Sequence, residues 1–400
     1  MSRSAQNAAS GVGVNTSRET GAMPDRPVAV HLFSGVGGMG LGFEQAGFDV
    51  ISAVDIERIN IETHEKNFPR CKTWCTDLSL ASGHQIREKT GIGEKQIDVV
   101  LAGPPCQGFS LIGKRRKDDP RNLLLFDLAR LLGELSPSYC VIENVEGILL
   151  GNARTILDEF LARIGCAGYS VVRPLKVLDA AEFGVPQRRR RVFILGYRSG
   201  LVAPQYPEPN CGYGKNGEYN GPKVWDAISD LPRISNYNYL FKEDTFQGDL
   251  GRPSDYARLL RGDARDPDDK SIGRVRNGDG LGGCLRTVHG ARTIKRFRRT
   301  EQGSNEKVSR FYRLAKNDLA PTLRAGTGPA QGSFMAPRPI HPFQDRCITV
   351  REAARLHSFP DWFHFHPTKW HGFRQIGNSV PPLLSRAVAQ SIAHALKLSD

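Results

Sequence analysis

The chain has 400 residues, with 55 Lys and Arg against 42 Asp and Glu, a formal net charge of +13 that favours a polyanionic partner. Its eight cysteines show no paired spacing beyond Cys71 and Cys75, which argues against a disulfide framework or a four-ligand zinc site, so no metal is expected. No apolar run approaches the ~20 residues of a membrane span and the N-terminal stretch has no apolar signal core, so a cytoplasmic location is expected.

Residues 1–24, rich in Ser, Ala, Asn and Gly, read as a disordered tail. Across residues 25–199, short apolar runs alternate with helix-like stretches, the pattern of a largely parallel sheet with crossover helices. Strands are predicted at residues 28–33, 50–54, 98–102, 139–142 and 192–195, and helices at 39–46, 56–67, 123–135 and 153–164. This is an α/β, doubly wound, Rossmann-like domain. Residues 200–344 are rich in Pro, Gly, Asn and Asp and lack clear periodicity, which predicts a second, smaller and irregular domain. Helical periodicity returns at residues 350–356 and 382–396, in a C-terminal part covering 345–400.

The chemistry-bearing residues gather where the predicted strands end. The first strand runs into Phe33-Ser34-Gly35-Val36-Gly37-Gly38, a Gly-rich turn that opens a helix and lets backbone approach a ligand. Alone, that turn also suits a nicotinamide dinucleotide or no ligand at all. Asp55 closes the second strand, where a carboxylate can accept ribose hydroxyls or cap a helix. The third ends in Gly103-Pro104-Pro105-Cys106-Gln107-Gly108: two prolines fix the backbone before the thiol and a glycine frees it after. Cys106 therefore sits on a loop at a strand end, unlike a structural cysteine inside an apolar run. Glu143 ends the fourth strand at the same edge. In Gln187-Arg188-Arg189-Arg190-Arg191, strand alternation would place Gln187, Arg189 and Arg191 on one face, suited to an anion or a base carbonyl. Because open α/β sheets bind ligands beyond the carboxyl ends of their strands, Gly35, Asp55, Cys106 and Glu143 should line one cleft.

In this order, the motifs resemble those of the DNA cytosine-5 methyltransferases of bacterial restriction–modification systems. The resemblance covers residues 28–198 and 346–392. It includes the Gly turn, Pro104-Pro105-Cys106-Gln107, Glu143-Asn144-Val145, Gln187 to Arg191, Arg351-Glu352-Ala353-Ala354-Arg355-Leu356 with Phe359-Pro360, and Gly377-Asn378-Ser379-Val380. His31 and His357 depart from it, at positions where Asp and Gln are common. The resemblance implies S-adenosyl-L-methionine as cofactor, bordered by Phe33, Gly35, Gly37, Gly38, Asp55, Ile56, Asp77, Leu78, Pro104, Leu123, Asn378 and Ser379. It implies Cys106, Glu143, Arg189 and Arg191 as catalytic residues, and Gln107, Ser110, Arg189 and Thr322 as DNA-contacting ones. Residues 200–344 become a target-recognition domain, in which Arg286, Arg292, Lys295, Arg296, Arg298 and Arg299 are candidates for phosphate or guanine contacts. Lys114 to Asp119 would belong to a loop closing over DNA.

The physical logic agrees. C5 of cytosine is a weak nucleophile until a thiolate adds at C6, and a stacked base is out of reach until it is flipped out. The implied partner is double-stranded DNA, met by a nucleoid-associated monomer, with a separate companion endonuclease. The alternative substrate within the same chemistry is transfer RNA.

Overall fold

The apolar runs become strands because nearly every residue in them is buried. A computed structural model describes residues 13–14, 26–105, 123–214, 216–275, 280–326 and 338–399. Cys106, Gln107, Ser110 and the Lys114 to Asp119 stretch lie outside the described residues. In chain order the first half comprises β1 (Gly13–Val14), β2 (Val28–Leu32), α1 (Gly38–Gln45), β3 (Asp49–Asp55), α2 (Arg58–Asn67), β4 (Lys72–Cys75), α3 (Gly83–Lys89), β5 (Val99–Ala102), α4 (Leu124–Leu135), β6 (Tyr139–Val145), α5 (Gly151–Cys166), β7 (Tyr169–Val171), β8 (Lys176–Asp179) and β9 (Arg190–Arg198). The remainder carries α6 (Val224–Ile228), α7 (Asp255–Arg261), β10 (Arg274–Val275), α8 (Ala291–Arg299), α9 (Val350–Leu356), α10 (Lys369–Asn378) and α11 (Pro382–Ser399).

The main sheet has the order β4-β3-β2-β5-β6-β9-β7, with β8 also paired to β9. β4, β3, β2, β5 and β6 are parallel, whereas β9 runs antiparallel to β6 and to β7 and β8. From β2 the chain winds outward through β3 and β4, then returns to place β5 on the other side of β2. That reversal opens a crevice between the carboxyl ends of β2 and β5, the ligand position in doubly wound sheets. Within the expected N-terminal tail, Gly13 and Val14 pair antiparallel with Val275 and Arg274 of β10.

α1 is buried on every side, because α11 covers the face that the sheet leaves open. Glycines four residues apart permit this approach. A Cβ on Gly38 would stand 2.6 Å from Val380 O, and one on Gly42 would stand 2.5 Å from Ser385 Cβ. Ser385 Oγ donates to Met39 O at 2.7 Å, fastening the two helices. The C-terminal part thereby returns to the first βα unit.

Among the described residues, 200–344 add α6, α7, α8, short 3-10 turns and β10, whose partner is β1. Val224, Ile228, Leu240, Phe246, Leu260 and Leu314 from this region share one apolar cluster with Val50, Phe43 and Phe359. α9 is the hinge of that packing. Its Arg355 bonds Asp361 at 2.6 Å and Asp230 at 3.2 Å, while Arg351 donates to the carbonyls of Gly282, Pro360 and Phe363. Both arginines are fully buried, so the Arg351 to Leu356 motif serves the scaffold.

Candidate active site

The Gly turn leaves β2 through Phe33, half-buried and left-handed at φ 53, and reaches α1 through Gly37 at φ 97. Its glycines serve different ends. Gly35, also at φ 53, has nothing among the described residues within 4 Å of where a Cβ would lie, so that side of the turn is open to them. A Cβ on Gly37 would instead strike Phe68 at 2.5 Å and His64 at 2.9 Å, making that glycine a packing requirement.

Asp55, at the end of β3, holds this turn. Its Oδ2 accepts from Gly35 N at 2.8 Å, and its Oδ1 accepts from Glu57 N at 2.9 Å and Asn60 Nδ2 at 3.2 Å. Burial pushes its carboxyl pKa up, opposed by those hydrogen bonds. A carboxylate offers about four acceptor positions, so capacity remains for a ribose hydroxyl.

Ile56, Asp77, Leu78, Pro104 and Leu123 fall at the same sheet edge, because each follows a parallel strand or precedes the next crossover helix. Ile56 is 63% and Leu123 57% exposed, two large apolar side chains left uncovered beside an open crevice. Asp77 accepts from Ser79 N and Oγ through one oxygen. Pro104 is buried at the exit of β5, and Leu78 packs into the core below the crevice, away from its mouth. Asn378 ends α10 exposed, whereas Ser379 is buried with its hydroxyl bonded to Gln375 O. Open space at Gly35, the acceptor Asp55 and uncovered apolar surface at Ile56 and Leu123 fit a nucleoside-bearing cofactor.

Across the crevice, Glu143 of β6 pairs with Arg191 of β9. Antiparallel register sets Val145 opposite Arg191, so Glu143 is its diagonal neighbour on the same face. Arg191 Nε donates to Glu143 Oε1 at 2.8 Å, with side chains only 14% and 12% exposed. The other carboxylate oxygen lies 3.8 Å from a Cβ placed on Gly103, the residue that begins Gly103-Pro104-Pro105-Cys106. The carboxylate thus faces the root of the thiol-bearing loop.

Arg189 has a different environment from the base-contacting one expected of it. Its guanidinium is buried and donates to Leu323 O at 3.0 Å, Gly377 O at 2.8 Å and Ser379 O at 2.9 Å. The physical reason is that β9 regular pairing begins only at Arg190, so Arg189 lies on an inward-turned entry segment. Gln187 joins the same knot: Leu323 N donates to its Oε1 at 3.0 Å, and its Nε2 reaches Leu356 O at 3.1 Å and His357 Nδ1 at 2.9 Å. His357 is held neutral by burial and bonds Ser379 O through Nε2 at 3.0 Å. Thr322 Oγ1 donates to Arg188 O at 2.7 Å, so Thr322 is tied to the basic run. Arg190 points outward, to Glu146 at 2.9 Å.

Sequence reasoning missed Gln187 and His357 as members of this knot, and His64 as the floor of the turn. Their signal was weak: each is a polar side chain buried by contacts remote in sequence. His31, buried behind Gly40, has its pKa lowered to about 3, so it stays neutral under the Gly turn.

A twisted sheet with a crevice at its switch point, a Gly turn held by a carboxylate, and a Glu–Arg pair facing Gly103 at the end of β5 are the features of a transferase fold with room for a nucleoside-bearing cofactor. The family model for C-5 cytosine-specific DNA methylase matches residues 29–394, and the chain belongs to that family. It is 49% identical over 372 residues to the Type II methyltransferase M.XorII of Xanthomonas oryzae pv. oryzae, covering 93% of this chain and 86% of that protein. It is 34% identical to M.AgeI of Thalassovita gelatinovora, covering 92% of this chain and 99% of that one. Among solved structures, a DNA modification methyltransferase encoded within an E. coli prophage superposes with a TM-score of 0.72 at 32% identity, covering 93% and 99% of the two chains. The S. pombe Dnmt2 methyltransferase shares the fold, with a TM-score of 0.55 at 18% identity and coverage of 93% and 99%. The predicted family and α/β class are thus both met. Among the described residues, no helix is long and apolar enough to cross a membrane.

Proposed function

We propose that the chain is the modification enzyme of a Type II restriction–modification system, methylating C5 of one cytosine within a specific duplex sequence. The observation that carries the mechanism is the Glu143–Arg191 pair, 2.8 Å across β6 and β9, turned toward the root of the Cys106 loop.

In this reading Cys106 is the nucleophile. Its thiolate adds to C6 of a flipped-out cytosine, a C–S bond forms, and electron density moves to C5. Glu143 supplies a hydrogen bond or proton at N3, where negative charge would otherwise collect. Arg191 orients that carboxylate and offers its remaining donors to O2. When bound, S-adenosyl-L-methionine supplies an electrophilic methyl group for C5. A base then removes the C5 proton, the C–S bond breaks, and the thiolate is restored. Phe33, Gly35, Gly37, Gly38, Asp55, Ile56, Asp77, Leu123 and Asn378 would hold the cofactor, with Leu78, Pro104 and Ser379 shaping the pocket from beneath. Arg189 acts as a positioning residue, fastening the end of the recognition region to the Gly377–Ser379 segment. Gln107, Ser110 and Thr322 are assigned to DNA.

The test offers the purified protein labelled S-adenosyl-L-methionine with either duplex DNA or transfer RNA. Label in DNA alone is expected, and bisulfite sequencing of the product should place it at a recurrent sequence. Label in transfer RNA alone would overturn the substrate assignment.

A further inference from the structure

The fold separates the basic residues of α8 into two groups. Arg298 is engaged by Asp345 at 2.9 Å and Arg296 by Glu306 at 3.5 Å. Arg286, just before the helix, lies over the Phe241 ring at 4.3 Å and donates to Ser235 O. Arg292, Lys295 and Arg299 are exposed and make no ion pair among the described residues. At 3.6 residues per turn, positions 292, 295 and 299 fall on one stripe.

That stripe is held rigidly. Phe297, on the opposite side of α8, is fully buried and packs against Ile340, Cys347 and Phe311. Of the acids beside the helix, Glu306 and Asp345 are already occupied by Arg296, Arg298 and Arg313, and Glu301, just past its end, is exposed and makes no ion pair among the described residues, so the stripe's charge has no ion-pair partner there. From Arg292 to Arg299 the helix rises about 10 Å, which matches about three phosphates at the ~3.4 Å axial spacing of one DNA strand. Three cations spread along the helix axis, with no carboxylate or amide side chain among them to pair with cytosine or adenine, match the spacing of successive phosphates.

We propose that Arg292, Lys295 and Arg299 form a phosphate-backbone contact through which α8 lies along one DNA strand, independently of sequence. This rests on duplex DNA as the substrate.

The test measures binding against salt for the intact protein and for the Arg292→Gln, Lys295→Gln, Arg299→Gln triple variant. The probes are a plasmid that the protein methylates and a poly(dA–dT) duplex, which contains no cytosine. Each phosphate contact steepens the log–log salt dependence by about 0.9, so the variant's slope should be shallower by about 2.7 on both DNAs. Between 50 and 200 mM salt, that corresponds to about 40-fold less loss of affinity than in the unsubstituted protein. A control with equal charge loss, Arg58→Gln, Arg154→Gln, Arg163→Gln, alters cations that already have i,i+4 partners and should keep the original slope. An unchanged slope in the α8 variant, or the same change in the control, would overturn the proposal. So would a loss confined to the plasmid, because that marks base reading. Absence of any salt-dependent DNA binding by the unsubstituted protein would instead bring down the DNA reading itself.

Discussion

Arg191 Nε meets Glu143 Oε1 at 2.8 Å across an antiparallel strand pair, and this contact fixes the carboxylate against the root of the Cys106 loop. Replacing Glu143 by Gln preserves shape but removes the carboxyl group that the proposed mechanism uses at N3. The single-turnover methylation rate is expected to fall by about 10²- to 10⁴-fold, with duplex affinity nearly unchanged. Equal losses in rate and affinity would contradict a role in the chemical step.

Arg189 should respond in the opposite sense to Arg191. Its guanidinium satisfies three buried carbonyls from two remote segments, so Arg189→Ala orphans them and should cost about 3 kcal/mol or more in a denaturant titration. Arg191→Ala removes one partner of a pair that lies at the crevice, 14% and 12% exposed, and orphans no backbone carbonyl of a remote segment, so it should cost less stability than Arg189→Ala while reducing methylation strongly. The two residues are neighbours in the same basic run, yet only the packing separates their roles.

That separation marks where sequence reading stops. The strands at residues 28–33, 50–54, 98–102 and 139–142 were legible because each is an apolar run buried on both faces, and the structure places strands at all of them. β4 was not: Lys72-Thr73-Trp74-Cys75 is an edge strand with intermediate or exposed side chains, so no run stands out. β7 and β8 are equally short, and the antiparallel direction of β9 leaves no trace in periodicity. Gly35, Asp55 and Glu143 could be placed at one edge because strand ends follow from strand runs. The knot of Gln187, Arg189, His357 and Ser379 could not, since its partners are up to 190 residues apart in the chain.

Two glycine substitutions should separate ligand space from packing space. Gly42→Ala puts a methyl group 2.5 Å from Ser385 Cβ and 2.6 Å from Pro382 O, so α11 must shift, at a cost of about 1–3 kcal/mol. Gly35→Ala meets no neighbour among the described residues and carries only the left-handed backbone cost of about 1–2 kcal/mol. Its larger effect should be a raised KM for S-adenosyl-L-methionine. Thermal melts and steady-state kinetics on both variants distinguish the two.

Acid should weaken the fold well before carboxylates titrate. Burial lowers His31 and His64 to about 3 and His341 to about 4, against 6.5 for the free side chain. Between those limits the unfolded chain binds more protons than the folded one, so stability is full above pH 6.5 and falls as pH drops toward 3. Each histidine contributes a slope of about 1.4 kcal/mol per pH unit in that window. His64→Gln should flatten the decline measured by denaturant titration from pH 7 to pH 4. An unaltered slope would contradict a neutral, buried His64.

The covalent step is the centre of the account, and 5-fluorocytosine tests it most directly. A duplex carrying that base at the methylated position has no C5 proton to release, so the Cys106–C6 bond should persist. With S-adenosyl-L-methionine present, the protein is expected to form a complex that survives denaturation and whose peptide map places the adduct on Cys106. Failure to trap any complex, or continued methylation by Cys106→Ala, would contradict it.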